Sequence, residues 1–548
     1  MRWSRQMSGP GAQARERGER RWVAGGGALL AALALLLGLA FPYAEATRNA
    51  NERPRLLQGI ALVDEGAWAI DGVAARYGLS PGPDVARDPR SGRLYPNKPP
   101  ATSVVAAAAL VIARAVDDAP DLRGYTWWAR LLGGLAPTLA LVAFLWWRFA
   151  AFVGPRALAA GLSLYALATP AAAYAHLFYG HQLAAALLSI GSVMAIDGVR
   201  GRRAGVAFVG GALAACAVAV EYAAAFAGAP LATWMIARLV RGRGAGWPLG
   251  ASVGAAVVGA LAPIAGLAAY HARAFGGALS TGYHNVIDPG FAAKHGQGLL
   301  GLGAPSWASF EAQILGQGAG LVVWAPLVIV GAAGLAIGPR DAGARAATRA
   351  ERGVFAATLA LFVAIAASLS FTGGWRVGPR YLVAVMPAAA LGIACLIGQA
   401  RGRAGILGPL GAIAGASLVV HTLAAALWPH FDLDAVRQPI AEVLLPLWSR
   451  GREPYDLLRL FGGIEVPCVD ALVFGAVVLG LGLLVRASGG RRAAAAVVIG
   501  GALGIVAVGA TRSVPPHPRA ARNLAYVERV WEPPIGGGEA ASVSVARR

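Results

Sequence analysis

The sequence predicts an all-α polytopic membrane protein, a bundle of about 13 transmembrane helices with a large first outer loop that contains juxtamembrane helices. Three observations predict it. Of 548 residues, 57% are hydrophobic and only 14% charged, and the mean hydropathy is +0.57, whereas soluble domains carry roughly a quarter charged residues. Apolar runs near the ~20 residues that cross a bilayer recur along most of the chain. Between them arginines gather in short clusters: Arg200, Arg202 and Arg203, then Arg238, Arg241 and Arg243, then Arg340, Arg345, Arg349 and Arg352, then Arg401 and Arg403, then Arg486, Arg491 and Arg492. Neighbouring clusters are separated by two runs, which is the positive-inside pattern. The net charge of +20 therefore marks cytoplasmic loops and membrane lipids as neighbours, not nucleic acid.

Taken in order, residues 1–22 form a basic cytoplasmic segment with Arg2, Arg5, Arg15, Arg17, Arg20 and Arg21. The run 23–43 is longer than a signal-peptide core, so it is expected to remain as an anchor despite the small residues of Ala44-Glu45-Ala46 beyond it. The polar loop 44–125 then stands outside. Its stretch 101–116 is apolar but short, and counting it as a crossing would invert every later arginine cluster; an interfacial helix is expected there. Further spans are expected near 126–148, 156–174, 176–197, 204–221, 222–240, 247–270, 314–337, 353–371, 380–400, 404–428, 467–487 and 492–511. This divides the chain into a transmembrane core over 23–402, C-terminal helices over 403–511 with an outer loop 429–466, and an outer tail 512–548. The tail from Gly536-Gly537-Gly538 has the composition of disordered chain. Cys216, Cys395 and Cys468 are scattered and form no disulfide framework or metal-ligand spacing. The abundant glycine and alanine suit close helix packing in a membrane.

Polar chemistry concentrates in the first outer loop. It holds Asn51-Glu52-Arg53, Asp64-Glu65 and Asp71, and closes on Lys98-Pro99-Pro100 before Ala129-Arg130-Leu131. Later come Gly276-Gly277 with Tyr283, and Trp375-Arg376-Val377-Gly378-Pro379-Arg380-Tyr381-Leu382. In that order and at comparable intervals, these elements resemble the GT-C membrane glycosyltransferases, in particular the protein mannosyltransferase, lipid A aminoarabinose transferase and RgtA/B/C/D-like group. The first part of the chain carries the resemblance; beyond Gly402 it is one of topology only.

The resemblance implies a multi-pass enzyme of a bacterial inner (plasma) membrane, N-terminus cytoplasmic and C-terminus extracytoplasmic. It implies transfer of a sugar from a polyprenyl-phosphate donor to a glycan, lipid or protein acceptor on the outer face. Such a reaction needs a base for the acceptor hydroxyl and cations for the leaving phosphate. Where the group has its first acidic residue this chain has Asn51, and an amide cannot take the proton. The base then falls to Glu52 or to a later carboxylate such as Asp71. Lys98, Arg376 and Arg380 are the cations expected at the phosphate, and Arg suits a multi-oxygen contact better than Lys. Asn51, Arg53, His181, Tyr283 and Tyr381 are candidates to contact substrate. No cofactor is required by the residues themselves, although members of the group often hold a divalent metal near the position of His176 and His181.

Plainer readings stand beside these. Glu52 and Asp71 are also explained as loop acids paired with Arg53, Arg55 or Arg76, and Arg376 and Arg380 as arginines reaching lipid headgroups. Glu221 is the one carboxylate well inside a predicted membrane region, where such groups are functional by default. Three other functions fit part of the pattern: a lipid-linked-sugar transporter or flippase, a glycan polymerase or ligase using His430, Asp432, Asp434 and Arg437, and a catalytically inactive assembly partner.

Overall fold

A computed structural model describes residues 10–39, 50–242, 247–296, 298, 301–369, 374–464, 467–531 and 543–546. Ala44-Glu45-Ala46, Arg243 and Gly536-Gly537-Gly538 lie outside the described residues, as does the start of the basic N-terminal segment.

Helices occupy the apolar runs read from the sequence, and among the described residues 7 are long and apolar enough to cross a membrane: Leu122–Val153, His181–Arg200, Tyr222–Arg241, Pro248–Phe275, Ala404–Ala426, Cys468–Ser488 and Arg491–Ser513. The remaining runs are shorter or interrupted, and proline is the usual cause because it removes a backbone donor and fixes φ. The run expected at 156–174 is a helix Pro155–Leu167 that stops before Pro170 and resumes as a single turn Ala171–Ala175. The run 314–337 breaks at Ala325 before the helix Pro326–Ile337, and 380–400 opens as a 3-10 turn Arg380–Val385 ahead of Pro387–Ala400.

Small residues set how closely these helices approach. On Pro326–Ile337 and Pro387–Ala400, a Cβ built at Gly331 would meet the backbone of Ala389, and one at Gly334 would meet that of Gly392. Only hydrogen fits between the two backbones, which is how membrane helices gain van der Waals contact without a hydrophobic drive between them.

Above this bundle the first loop folds as a separate layer. Helix Arg53–Asp64 lies on the 16-residue helix Ala101–Val116, and Leu56, Ile60, Leu110, Leu122 and Tyr125 form their shared apolar core. The Tyr125 hydroxyl donates to Leu56 O at 3.0 Å. A short antiparallel hairpin, Val85–Arg87 with Leu94–Pro96, closes the layer with Val85 opposite Pro96. Residues 543–546, in a stretch whose composition read as disordered, are extended against the same layer: Leu122 N donates to Val543 O at 2.7 Å and Val545 N to Pro120 O at 2.8 Å.

The close helix crossing is directly testable. Gly392→Leu should force the two backbones apart and lower thermal stability in detergent by about 1–3 kcal/mol. Gly254→Ala, where an added Cβ meets nothing within 4 Å, should not. Equal melting temperatures for Gly392→Leu and wild type would refute the packing account.

Candidate functional site

Where the loop layer meets the bundle there is a cavity of about 300 Å³. Asn51, Arg53, Asp84 and Lys98 line it from the first loop, Tyr179 from the turn before His181–Arg200, His295 from the short helix Pro289–His295, and Trp375 and Arg380 from the 374–380 segment.

Each contribution has a local cause. Asn97 N donates to Asp84 O at 3.1 Å and Asn97 Nδ2 to Asp84 Oδ1 at 3.2 Å, so the end of the hairpin holds both Asp84 and Lys98 at the cavity edge. The other Asp84 oxygen accepts no hydrogen bond among the described residues. Pro99 and Pro100 then turn the chain into helix Ala101–Val116. The Lys98 ammonium donates to the Tyr283 hydroxyl at 3.1 Å and lies 4.6 Å from the centre of that ring. His295 stacks on Tyr283 at 4.3 Å with an interplanar angle of 5°. Tyr283 reaches this position because Gly282 sits flush on the Asn97 backbone, where a Cβ would collide.

Arg380 owes its place to Gly378. That residue has φ +59° and packs against Pro170 and Trp324, a conformation and a space that only glycine accepts without strain. The Arg380 guanidinium lies 5.3 Å from the Tyr381 ring centre, and its buried Nε has no hydrogen-bond partner among the described residues. Burial pushes the Lys98 ammonium below its ordinary range; Asp84 pulls it back up and Arg380 pushes it further down. Arg53, Lys98 and Arg380 thus outnumber Asp84, the one carboxylate of the lining.

Beneath the cavity floor runs a second polar layer. Arg55 donates to Asn51 Oδ1 at 2.7 Å and to Tyr179 O at 2.5 Å, and pairs with Glu221 at 3.4 Å. Glu221 also faces His181 Nδ1 at 3.4 Å, and His181 Nε2 is buried without a hydrogen-bond partner among the described residues. Tyr179 stacks on His430 from the 429–466 loop, its hydroxyl 3.2 Å from Nδ1.

The expected residues therefore divide. Lys98, Arg380, Asn51 and Arg53 line the cavity, while Tyr283, Tyr381 and His181 stand directly behind that lining. Glu52 does not line it. Its carboxylate is wholly buried and accepts from Arg130 Nη2 at 2.6 Å, Arg130 Nε at 3.0 Å and the Phe178 amide at 2.5 Å, so the oxygens expected to take a proton are already saturated. Asp71 is also elsewhere: its Oδ2 accepts from Leu94 N at 2.8 Å and ties helix Asp71–Tyr77 to the hairpin. Arg376 points away as well, donating to Gln313 Oε1 at 2.8 Å from a buried position. His176 lies between helices, its Nε2 3.0 Å from Leu37 O and its Nδ1 3.4 Å from Ala425 O, away from the cavity lining. Among the described residues no three His, Cys, Asp or Glu side chains converge to hold a metal, and the lining offers Asp84 alone as a carboxylate ligand.

Asp84 and His295 were missed. Asp84 sits in the turn Pro81-Gly82-Pro83, where an acid reads as ordinary turn chemistry. No signal in the sequence marks His295 as the partner of Tyr283.

No known family profile matches the chain, and no curated protein matches it. Among solved structures it is similar to the arabinosyltransferase EmbB from Mycobacterium smegmatis, with 15% sequence identity and a TM-score of 0.39 over 94% of this chain and 44% of that one. The chain thus spans less than half the length of that structure, and a likeness of this degree leaves the reading of the site to its own residues.

The Glu52–Arg130 pair gives a prediction that separates a structural from a catalytic role. Arg130→Met leaves a carboxylate buried without its cation and should cost about 3–5 kcal/mol of stability. Denaturant unfolding of the purified protein checks it, and a loss below about 1 kcal/mol would exclude the clamp as a determinant of the fold.

Proposed function

We propose that this chain is a membrane glycosyltransferase of the GT-C type that moves a sugar from a polyprenyl-phosphate donor to a hydroxyl of a glycan, lipid or protein acceptor at the outer face of a bacterial inner membrane. One observation carries the reading: three cations, Arg53, Lys98 and Arg380, converge with a single carboxylate, Asp84, on a small cavity where the loop layer meets apolar helices. A phosphate with a sugar on one side and a hydrocarbon tail on the other fits that setting, with its charge among the cations and its tail in the bilayer.

In this reading the acceptor oxygen attacks the anomeric carbon as the bond from that carbon to the phosphate oxygen breaks. Polyprenyl phosphate departs with the electron pair. The hydroxyl proton passes to Asp84, whose second oxygen is open, and not to the saturated Glu52. Such a base contributes about a hundred- to ten-thousand-fold. Lys98 and Arg380 stabilise the charge that grows on the leaving phosphate, in a setting where few waters compete. Half-buried Trp375 offers a ring face for the apolar side of a sugar. Charge stabilisation rests on these cations; a single carboxylate does not make a site for a divalent ion.

A catalytically inactive partner that only binds the donor is the second reading, favoured by Asn51 at the acidic position and by the saturation of Glu52.

The deciding experiment measures polyprenyl-phosphate release from a panel of labelled polyprenyl-phosphate sugars, with crude membranes as acceptor source. Asp84→Asn should lower turnover about a hundredfold or more with donor binding retained, while Glu52→Gln should act through stability. Binding without turnover in the wild type would favour the inactive partner; neither binding nor turnover would overturn the reading. A pH series supplies an independent check. The charged ammonium of Lys98 attracts phosphate and its acidity is raised by burial, so donor affinity should fall as pH rises toward alkaline values. Lys98→Arg, which stays protonated, should flatten that dependence.

A further inference from the structure

At the far end of the molecule a second cavity has a different character. Helix His181–Arg200 starts beside the outer cavity and its 20 residues extend about 30 Å, the thickness of a bilayer's hydrocarbon core. Next to its last residue, Arg200, a cleft of about 740 Å³ opens between helices Gly228–Arg241 and Arg349–Ala366.

The two walls are helical stripes. Pro230, Thr233, Trp234 and Ala237 line one side at helical spacing, and Ala350, Gly353, Val354 and Ala357 the other. The small residues open the groove: a Cβ at Gly353 would meet nothing within 4 Å. At the mouth stand Arg200, Arg238, Arg241 and Arg349, and no carboxylate is part of the lining. The acids nearby are already committed. Arg148 pairs with Asp197 at 2.7 Å and with Glu351 at 2.6 Å, and Arg200 takes the same Glu351 at 2.7 Å. The side chains of Arg238, Arg241 and Arg349 are exposed and make no hydrogen bond or ion pair among the described residues.

We propose that this cleft is a binding site for one anionic glycerophospholipid of the arginine-rich, inner leaflet, with its phosphate headgroup among Arg238, Arg241 and Arg349 and an acyl chain in the groove between Trp234 and Gly353. Charge complementarity selects the headgroup, and the apolar walls beneath the arginines select a lipid over a free anion. Basic pockets between transmembrane helices take anionic headgroups in this manner. The site is independent of the chemistry assigned to the outer cavity.

Native mass spectrometry of the full-length protein, released from vesicles of equal phosphatidylglycerol and phosphatidylcholine, tests it. Wild type should retain phosphatidylglycerol over phosphatidylcholine by about tenfold or more. The triple variant Arg238→Gln, Arg241→Gln, Arg349→Gln should lose that preference. Gly353→Leu keeps every charge and fills the groove, so it should lower retention of both lipids. Retention of phosphatidylglycerol by both variants at the wild-type level would overturn the proposal. So would its complete displacement from wild type by millimolar inorganic phosphate, which would identify a free-anion site.

Discussion

The ion pair between Glu52 and Arg130 is the constraint on which the outer half of the molecule depends. Both side chains are removed from solvent, and each charge taken from water costs several kcal/mol unless its partners are complete. Here they are complete: two guanidinium nitrogens and the Phe178 amide satisfy the carboxylate. The pair pins the first turn of the loop layer to helix Leu122–Arg130 and to the turn that precedes His181. Because Glu52 is drawn inward, its neighbours Asn51 and Arg53 line the cavity. A residue outside the lining thereby decides which side chains face the cavity.

The same layer explains the sign of the cavity. Glu221, the carboxylate closest to neutralising it from below, is held by Arg55 and faces His181. Asp64 and Glu65 are paired with Arg114 and Arg76 on the loop surface. The lining then holds Arg53, Lys98 and Arg380 beside the carboxylate of Asp84, and burial makes the charge of the Lys98 ammonium costly. Under the proposed function, the phosphate of the donor would relieve that cost.

Much of this order was legible in the chain and some was not, for physical reasons. Apolar run length located the helices because it reports directly on the apolar surface a helix can bury. It did not report where Pro170 or Pro326 would cut a run short. Lys98-Pro99-Pro100 and Gly378-Pro379-Arg380 were readable because proline and a positive-φ glycine impose local backbone shape, and shape aims the neighbouring cation. Arg376 belongs to the same motif yet turns to Gln313, since four residues along a non-helical segment carry no rule for direction. The role of Glu52 was hidden because its partner, Arg130, lies in another helix, and nothing local to Glu52 shows that its oxygens are taken.

The amide at position 51 fits this arrangement. Arg55 donates to the Asn51 amide oxygen, so the position keeps the acceptor that a carboxylate would provide. What it gives up is the negative charge. With an amide there, the charge of Arg55 is met by Glu221 at 3.4 Å, and position 51 brings no carboxylate to the lining that Lys98 and Arg380 share. In the proposed reaction, attraction for an anion rises as a result, and the proton is taken at the rim, where Asp84 is half-buried and has an oxygen open. On the proposed function, the chain would separate by position the two demands that one acid would otherwise set against each other: holding Arg55 in place and accepting a proton next to a phosphate.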